Sequence, residues 1–338
     1  MISLPEPTNT PLRGGPTLRW GVLAPGGIAR AWVGTVHANT DQRVVAVASR
    51  STERAAAFAA DFGIDTSYGS YEELVADPRV DAVYVAAPHS EHRALALLAI
   101  AAGKHVLIEK PIAVTVAEAR DIVEAARAAG VFAMEAMWSR FLPQTTVVSR
   151  LLEAGDLGEV RSVSADFGTN FAFDPTSRLY DPALGGGALL DLGVYPAWFA
   201  HFVLGAPETV TATGTLAETG VDAQSAVILD YPGGAQGTIT TSLLADTPRV
   251  ATINGTEARV EFAGPFLAPT SFQVVSGEER VQWTEPSGFV WGEGLCYQAT
   301  AVAQHIADGL TESPLHTLDD TLEIMAVLES ARGQLGAR

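Results

Sequence analysis

The sequence predicts an α/β fold in two parts: a doubly wound parallel sheet, then an α+β region with a large, open and mostly antiparallel sheet. Three observations carry this. Between Leu18 and about Arg140, short apolar runs alternate with longer helical patterns, as in a parallel sheet with helices on its faces. Alanine-rich helical stretches in that half close on Gly63, Gly103 and Gly130, where a left-handed cap favours glycine. From about Val160 the texture becomes strand-like with alternating polarity, broken by "PGG" at 232–234, "NG" at 254–255 and "SG" at 276–277, which are hairpin signals.

In chain order the first half reads "LRWGVLA" strand, "IARAWVGTVHA" helix, "RVVAVAS" strand, "TERAAAFAADFG" helix and "DAVYVAAP" strand. "EHRALALLAIAAG" helix, "HVLIEK" strand, "TVAEARDIVEAARAAG" helix and "VFAMEA" strand follow. The second half offers the strands "VRSVSADFGTNF", "TVTATGTL", "SAVILDYP", "AQGTITTSL", "RVATI", "ARVEF", "SFQVVS" and "RVQWTE". The apolar "GGALLDLGVYPAWFAHFVLG" interrupts them as a buried helix, and helical patterns near Leu295–Gly309 and Leu318–Gly333 close the chain.

A chain of 338 residues exceeds what one core ordinarily serves. The expected organisation is a disordered tail over 1–16, a parallel-sheet domain over 17–140 and an antiparallel-sheet domain over 141–315. A C-terminal helix over 316–338 is expected to pack back toward the first domain. The formal charge of -18, from 39 acids and 21 bases, repels nucleic acid and anionic membranes, so neither is expected as a partner. Cys296 is the only cysteine, which suits a reducing cytoplasm. The run "ALALLAIAA" is too short to span a bilayer, and the first residues lack the apolar segment of a signal peptide.

"GVLAPGGIAR" joins the first strand to the first helix, and places Ala24, Gly26 and Ala29 in the small-residue slots of a dinucleotide fingerprint. Gly26 there lets backbone approach a pyrophosphate at the helix N-terminus. The next strand ends in "ASRSTER", where an NAD site carries an acid for the ribose hydroxyl. Ser49, Arg50 and Arg54 stand there instead, and guanidinium suits a 2'-phosphate, so NADP is expected in preference to NAD. The alternative is that both arginines solvate a helix start. Pro88, His89 and His92 in "APHSEHR" fall at the carboxyl end of a strand, where such sheets bind ligands.

"HVLIEKPIAV" ends an apolar strand on Glu109, Lys110 and Pro111. A lysine at that tip can donate to a substrate hydroxyl or shift a neighbouring acid, or simply pair with Glu109. Further on, Asp191 and Tyr195 are four apart in a helical pattern beside Leu184, Ala188 and Trp198, so a carboxylate and a phenol share an apolar face and need partners. No cluster of His, Cys and carboxylates has metal-ligand spacing. Trp283, Phe289 and Trp291 around "SGFVWGEGLCYQ" line a pocket or anchor a loop.

"IEKP" at 108–111 with "GGGALLDLGVY" at 185–195 resembles the glucose–fructose oxidoreductase / inositol dehydrogenase (Gfo/Idh/MocA) family over nearly the whole chain. "MEAMWSRFLP" at 134–143 and "ADFGTNF" at 165–171 resemble its dihydrodiol and D-xylose dehydrogenase branch. The resemblance implies a Rossmann domain followed by an open-faced antiparallel sheet that commonly forms the oligomer contact, here a homodimer or homotetramer. It implies Lys110 as catalytic lysine, Tyr195 as general acid/base and Asp191 as the residue orienting this pair or the substrate. Ala24, Pro25, Gly26, Gly27, Ile28, Ser49, Arg50, Arg54, Ala87, Pro88, His89, His92, Glu109, Lys110, Trp138 and Arg140 would bind cofactor. Trp138, Phe167, Asn170, Arg178, Asp191 and Tyr195 would meet substrate. The Ala24-Pro25 pair departs from the glycine pattern.

The implied activity is NADP-linked transfer of a hydride between nicotinamide and a sugar, polyol or dihydrodiol carbon, without a metal. A ketosugar reductase, an NAD-dependent glycosidase of the same fold and a non-catalytic NADP-binding sensor are the alternatives.

Overall fold

Six parallel strands form the first sheet of the computed structural model, which describes residues 3–338. They are β1 (Arg19–Leu23), β2 (Arg43–Ala48), β3 (Thr66–Tyr68), β4 (Ala82–Val85), β5 (His105–Ile108) and β6 (Ala133–Glu135), ordered β3-β2-β1-β4-β5-β6. The helices between them are α1 (Gly27–Asn39), α2 (Thr52–Phe62), α3 (Tyr71–Val75), α4 (His92–Ala101) and α5 (Val116–Ala129). Strand order reverses between β1 and β4, which opens a crevice at their carboxyl ends. β1, β4 and β5 are buried almost throughout because helices cover both faces. Gly63 and Gly130 cap α2 and α5 in the left-handed conformation. β3 and α3 are additions to the sequence expectation; three and five residues are too few to show a period.

The second sheet has eight strands: β7 (Val160–Gly168), β8 (Thr209–Leu216), β9 (Asp222–Asp230), β10 (Gln236–Ser242), β11 (Ala251–Gly255), β12 (Arg259–Phe262), β13 (Phe272–Ser276) and β14 (Glu279–Trp283). Their order is β14-β13-β12-β11-β7-β10-β9-β8, and only the β7–β10 pair is parallel. Of the three hairpin signals, "PGG" falls between β9 and β10, "NG" ends β11 ahead of β12, and "SG" begins on the last residue of β13 ahead of β14. α6 (Pro143–Ala154) precedes the sheet, and α7 (Val194–Leu204) packs against β7 and β10. Phe199 on α7 meets Phe262 and Phe266 edge-on at 5.4 and 5.3 Å. Trp283 stacks on Phe272, while Trp291 is half exposed.

The segment Pro182–Leu204 is apolar and long enough to cross a membrane by composition, but 78% of its most apolar 18-residue window is buried in the protein. Its apolar length is therefore used by the core of this sheet.

The chain divides into two compact units, neither contiguous in sequence. One comprises Asn9–Phe141 and Gly292–Thr321; the other comprises residues 3–8, Leu142–Trp291 and Leu322–Arg338. This differs from the expected boundaries in two places. Helix α8 (Cys296–Ala307) packs on α1 and belongs with the parallel sheet, where the Thr35 hydroxyl donates to the Glu293 carbonyl at 2.6 Å. α9 (Leu318–Leu335) is divided: its first residues, through Thr321, group with the parallel sheet and the rest, from Leu322, with the antiparallel one. The reason is edge satisfaction: Gln334 donates to the Val210 carbonyl and accepts from the Ala212 amide of β8, at 2.8 and 2.9 Å.

Of the expected disordered tail over 1–16, residues 1 and 2 lie outside the described residues. The rest has no helix or strand, yet it is tied down. The Thr8 amide donates to Thr146, Asn9 donates to the Phe141 carbonyl, and Arg13 and the Gly14 amide bond Asp41.

Glycines 185–187 lead into α7 through a π-helical turn over Leu189–Gly193. Gly187 has φ 119°, and a Cβ there would lie 2.3 Å from Asp222 Oδ1. Asp222 is fully buried, and its Oδ2 accepts from the Leu189 amide at 2.6 Å, so it caps the turn. Gly187→Ala is therefore expected to destabilise the fold by roughly 2–4 kcal/mol. Gly333, exposed inside α9 with open space around its Cα, should give the opposite sign, with Gly333→Ala adding about 0.5–1 kcal/mol. Urea unfolding of the two variants checks both.

Candidate active site

The loop after β1 is built around Ala24, whose φ of 60° is the left-handed conformation a glycine takes without cost. Its amide donates to the Ala48 carbonyl at 3.1 Å, which holds the loop against β2. Pro25 follows, and Gly26 enters α1 in extended conformation without any side-chain cap. A Cβ on Gly27 would meet nothing within 4 Å, and one on Gly26 only the Ala24 carbonyl at 3.9 Å. Gly26, Gly27 and Ile28 are exposed. An uncapped helix start on an open glycine shelf fits a diphosphate, because the first amides have no other partner and carry the positive end of the helix dipole.

At the end of β2, Ser49 is buried; its amide donates to the Tyr68 carbonyl and its hydroxyl accepts from the Ser51 amide. Its hydroxyl thus shapes the turn. Ser51 caps α2 by accepting from the Arg54 amide. Arg50 and Arg54 are exposed. Burial raises the Tyr71 phenol pKa, and the positive charges of Arg50 and Arg54 oppose the shift. The charges of both guanidinium groups are thus felt at one phenol, at the start of α3.

Ala87, Pro88 and His89 follow β4, with His89 buried in a short 3-10 turn over His89–Glu91. His92 opens α4 at the same strand end. It is fully buried, with Nε2 2.8 Å from the Ala87 carbonyl and Nδ1 2.9 Å from the Pro111 carbonyl. Both ring nitrogens face backbone carbonyls, and burial lowers the pKa, which favours the neutral ring with a single N–H to donate. His92 ties the end of β4 to the tip of β5.

That tip carries Lys110, half-buried, joined to Pro111 by a cis peptide bond. Glu109 turns inward. It accepts a short hydrogen bond from the Tyr84 hydroxyl, its Oε2 accepts from the Lys110 amide at 3.3 Å, and Tyr84 stacks on Trp32 at 4.3 Å. Burial raises the Glu109 carboxyl to about 7, against the opposing hydrogen bond from Tyr84 and the Lys110 charge. Trp138 and Arg140 lie buried on the turn after β6, where Arg140 Nε donates to the Leu315 carbonyl at 2.7 Å.

In the other unit, Asp191 sits on the π-helical turn and Tyr195 in the first turn of α7, both buried beside Ala188 and Trp198. The Asp191 amide donates to the Gly187 carbonyl, and Asp191 Oδ1 pairs with Arg178 Nη1 at 2.9 Å. Half of the Arg178 side chain remains exposed, against 7% for Asp191, so the pair joins a buried carboxylate to a solvated cation. Phe167 lies 5.7 Å from the Tyr195 ring, between centroids. Asn170 is exposed on the following loop, its amide donating to Asp246 at 3.3 Å.

This unit therefore gathers Phe167, Arg178, Asp191 and Tyr195. The parallel-sheet unit gathers the glycine shelf, the two arginines and the lysine tip. Arg249 was missed from sequence. Its guanidinium lies over the Phe167 ring at 5.8 Å, and its backbone, at φ 57°, donates to Asp166. Asp222 was missed as well; neither residue sits in a motif.

Comparison with known proteins agrees with both halves. Residues 18–137 match an oxidoreductase family with an NAD-binding Rossmann fold, Gfo/Idh/MocA, and residues 145–261 match the Gfo/Idh/MocA C-terminal domain. The trans-1,2-dihydrobenzene-1,2-diol dehydrogenase of Mus musculus is 40% identical over 328 residues, covering 94% of this chain and 97% of that enzyme. The Xenopus tropicalis enzyme of the same name is 38% identical, covering 94% and 98%. Among solved structures, an aldose-aldose oxidoreductase from Caulobacter crescentus complexed with glycerol superposes with a TM-score of 0.84 at 26% identity, covering 94% and 97%. A 3-ketoreductase from Actinomadura kijaniata with NADP and TDP-benzene gives 0.81 at 28%, covering 94% and 98%. With both sheets matched and relatives alike along almost their full lengths, the chain belongs to the Gfo/Idh/MocA family and is an NAD(P)-dependent dehydrogenase acting on CH–OH groups.

Proposed function

We propose that this enzyme is an NADP-dependent dehydrogenase of a trans-dihydrodiol, with Tyr195 as acid/base and Lys110 as its cationic assistant. The observation that carries this reading is the 40% identity to a trans-1,2-dihydrobenzene-1,2-diol dehydrogenase across 94% of the chain. The exposed Arg50 and Arg54 beside the β2 end support NADP, and weigh against an NAD-dependent glycosidase. A sugar hydroxyl is the second reading, favoured by the aldose-aldose oxidoreductase among the structural neighbours. The open face of the antiparallel sheet supports a homodimer or homotetramer; its exposed positions include Ser164, Ile228, Thr238 and Thr240.

When bound, the nicotinamide nucleotide accepts the hydrogen and electron pair that leave the alcohol carbon. The chain's own residues handle the proton and the placement. Amides at the start of α1 hold the diphosphate, and Arg50 and Arg54 hold the 2'-phosphate. Tyr195, as phenolate, takes the hydroxyl proton as the carbonyl forms. The Lys110 ammonium favours that phenolate over the neutral phenol. Asp191, fixed by Arg178, orients the substrate, and Phe167 provides an apolar wall.

Two outcomes are expected. Tyr195→Phe should lower kcat for trans-1,2-dihydrobenzene-1,2-diol by about 10²-fold or more, with the Kd for NADP unchanged within about twofold; near-normal turnover would overturn the acid/base role. Arg50→Ala should raise the KM for NADP roughly 10–100-fold and leave that for NAD unchanged, since a charge-assisted bond contributes about 1.5–3 kcal/mol. Steady-state kinetics with both nucleotides, against the dihydrodiol and a panel of aldoses, measures these effects and separates the two substrate readings.

A further inference from the structure

The tip that carries Lys110 has three backbone groups with side-chain partners. Glu109 accepts from the Lys110 amide and His92 meets the Pro111 carbonyl, as described above. The third partner comes from far away in sequence. The Ile112 amide donates to Glu135 Oε1 at 2.9 Å. Glu135 is the last residue of β6 and is 1% exposed. Its other oxygen meets His316 Nε2 at 3.0 Å and the Thr321 hydroxyl at 3.2 Å. His316 and Thr321 are as buried as Glu135, and lie 3.2 Å from each other.

The stretch 311–321 that brings these donors is fastened independently. The Ala133 amide of β6 donates to the Thr311 carbonyl, Arg140 donates to the Leu315 carbonyl, and Arg127 pairs with Glu312 and Asp319. A buried carboxylate without donors is costly. His316 and Thr321 therefore let Glu135 stay in place and hold the Ile112 amide. Pro111 has no amide proton of its own, so Ile112 is the first donor beyond Lys110 that can anchor the tip.

We propose that Glu135, His316 and Thr321 are positioning residues: the connection between α8 and α9, with the first turn of α9, sets the Lys110 tip through the Ile112 amide. The functional part of this inference rests on the reading of Lys110 given above. A lysine whose backbone wanders by about 1 Å loses up to roughly 10²-fold in rate, while the glycine shelf after β1, two strands away, keeps its own backbone contacts.

The test uses the full chain with His316→Leu, which removes a donor, and His316→Gln, which restores one. Amide hydrogen exchange of the tip and steady-state kinetics with NADP and trans-1,2-dihydrobenzene-1,2-diol are the readouts. His316→Leu is expected to speed exchange of the Ile112 amide by about tenfold or more and to lower kcat roughly 10–100-fold, with the Kd for NADP unchanged. His316→Gln should recover most of both effects. Unchanged exchange in His316→Leu, or failure of a folded His316→Gln to rescue it, overturns the proposal. If His316→Leu does not fold, Thr321→Val takes its place, with a smaller gain in exchange expected and an unchanged rate again fatal. Lys110→Ala is measured in parallel. Wild-type turnover in that variant would defeat the catalytic reading of the lysine, while the exchange rates still decide whether the tip is held from 316 and 321.

Discussion

A carboxyl group removed from water needs hydrogen-bond partners, and three buried acids of this chain find one in a backbone amide. Glu109 and Glu135 sit at or just past the carboxyl ends of neighbouring strands of the parallel sheet, and Asp222 lies at the start of β9 in the other unit. Each sits where backbone amides need an acceptor: Lys110 and Ile112 at the lysine tip, Leu189 at the entry to α7. The same three carboxyl groups therefore shape the two places where the proposed chemistry would be done.

Against a net charge of -18, binding an anionic nucleotide is a local matter. The first amides of α1 remain uncapped while α2, α3 and α5 begin on capping Ser51, Ser70 and Thr115. α4, which begins at the crevice end of the same sheet, also starts without a side-chain cap. Two arginines at the β2 end add fixed positive charge, and short-range contacts of this kind keep their strength where the long-range field opposes the ligand.

The order of strands and helices could be read from sequence because it rests on local pattern: buried parallel strands as apolar runs, half-buried antiparallel ones as alternation, hairpins at glycine. What escaped depends on distant partners. His92 lies at the crevice end of the sheet, as its position implied, but the carbonyls of Ala87 and Pro111 decide what its ring does. Glu135 reads as an ordinary strand end, and its donors lie more than 180 residues later in sequence. The π-helical turn under Asp191 has the composition of an α-helix. The C-terminal helix has an apolar face, but no pattern says which sheet will receive it; two backbone groups on the β8 edge do. Tyr195, Asp191 and Lys110 could be picked out in sequence as candidates because polar groups stand out in apolar runs.

The interleaving of the two units has a consequence for how the polypeptide matures on the ribosome. Synthesis delivers all six parallel strands before the chain is half made, but Glu135 receives two of its donors only when residues 316 and 321 emerge. Central strand β7 likewise waits for β10 and β11 on either side. Nascent chains thus pass through a long interval in which neither unit can close, with sheet edges bare and one acid unquenched, and such intermediates are the species that chaperones hold. The last twenty or so residues complete both units together, so a chain truncated there would lose part of each.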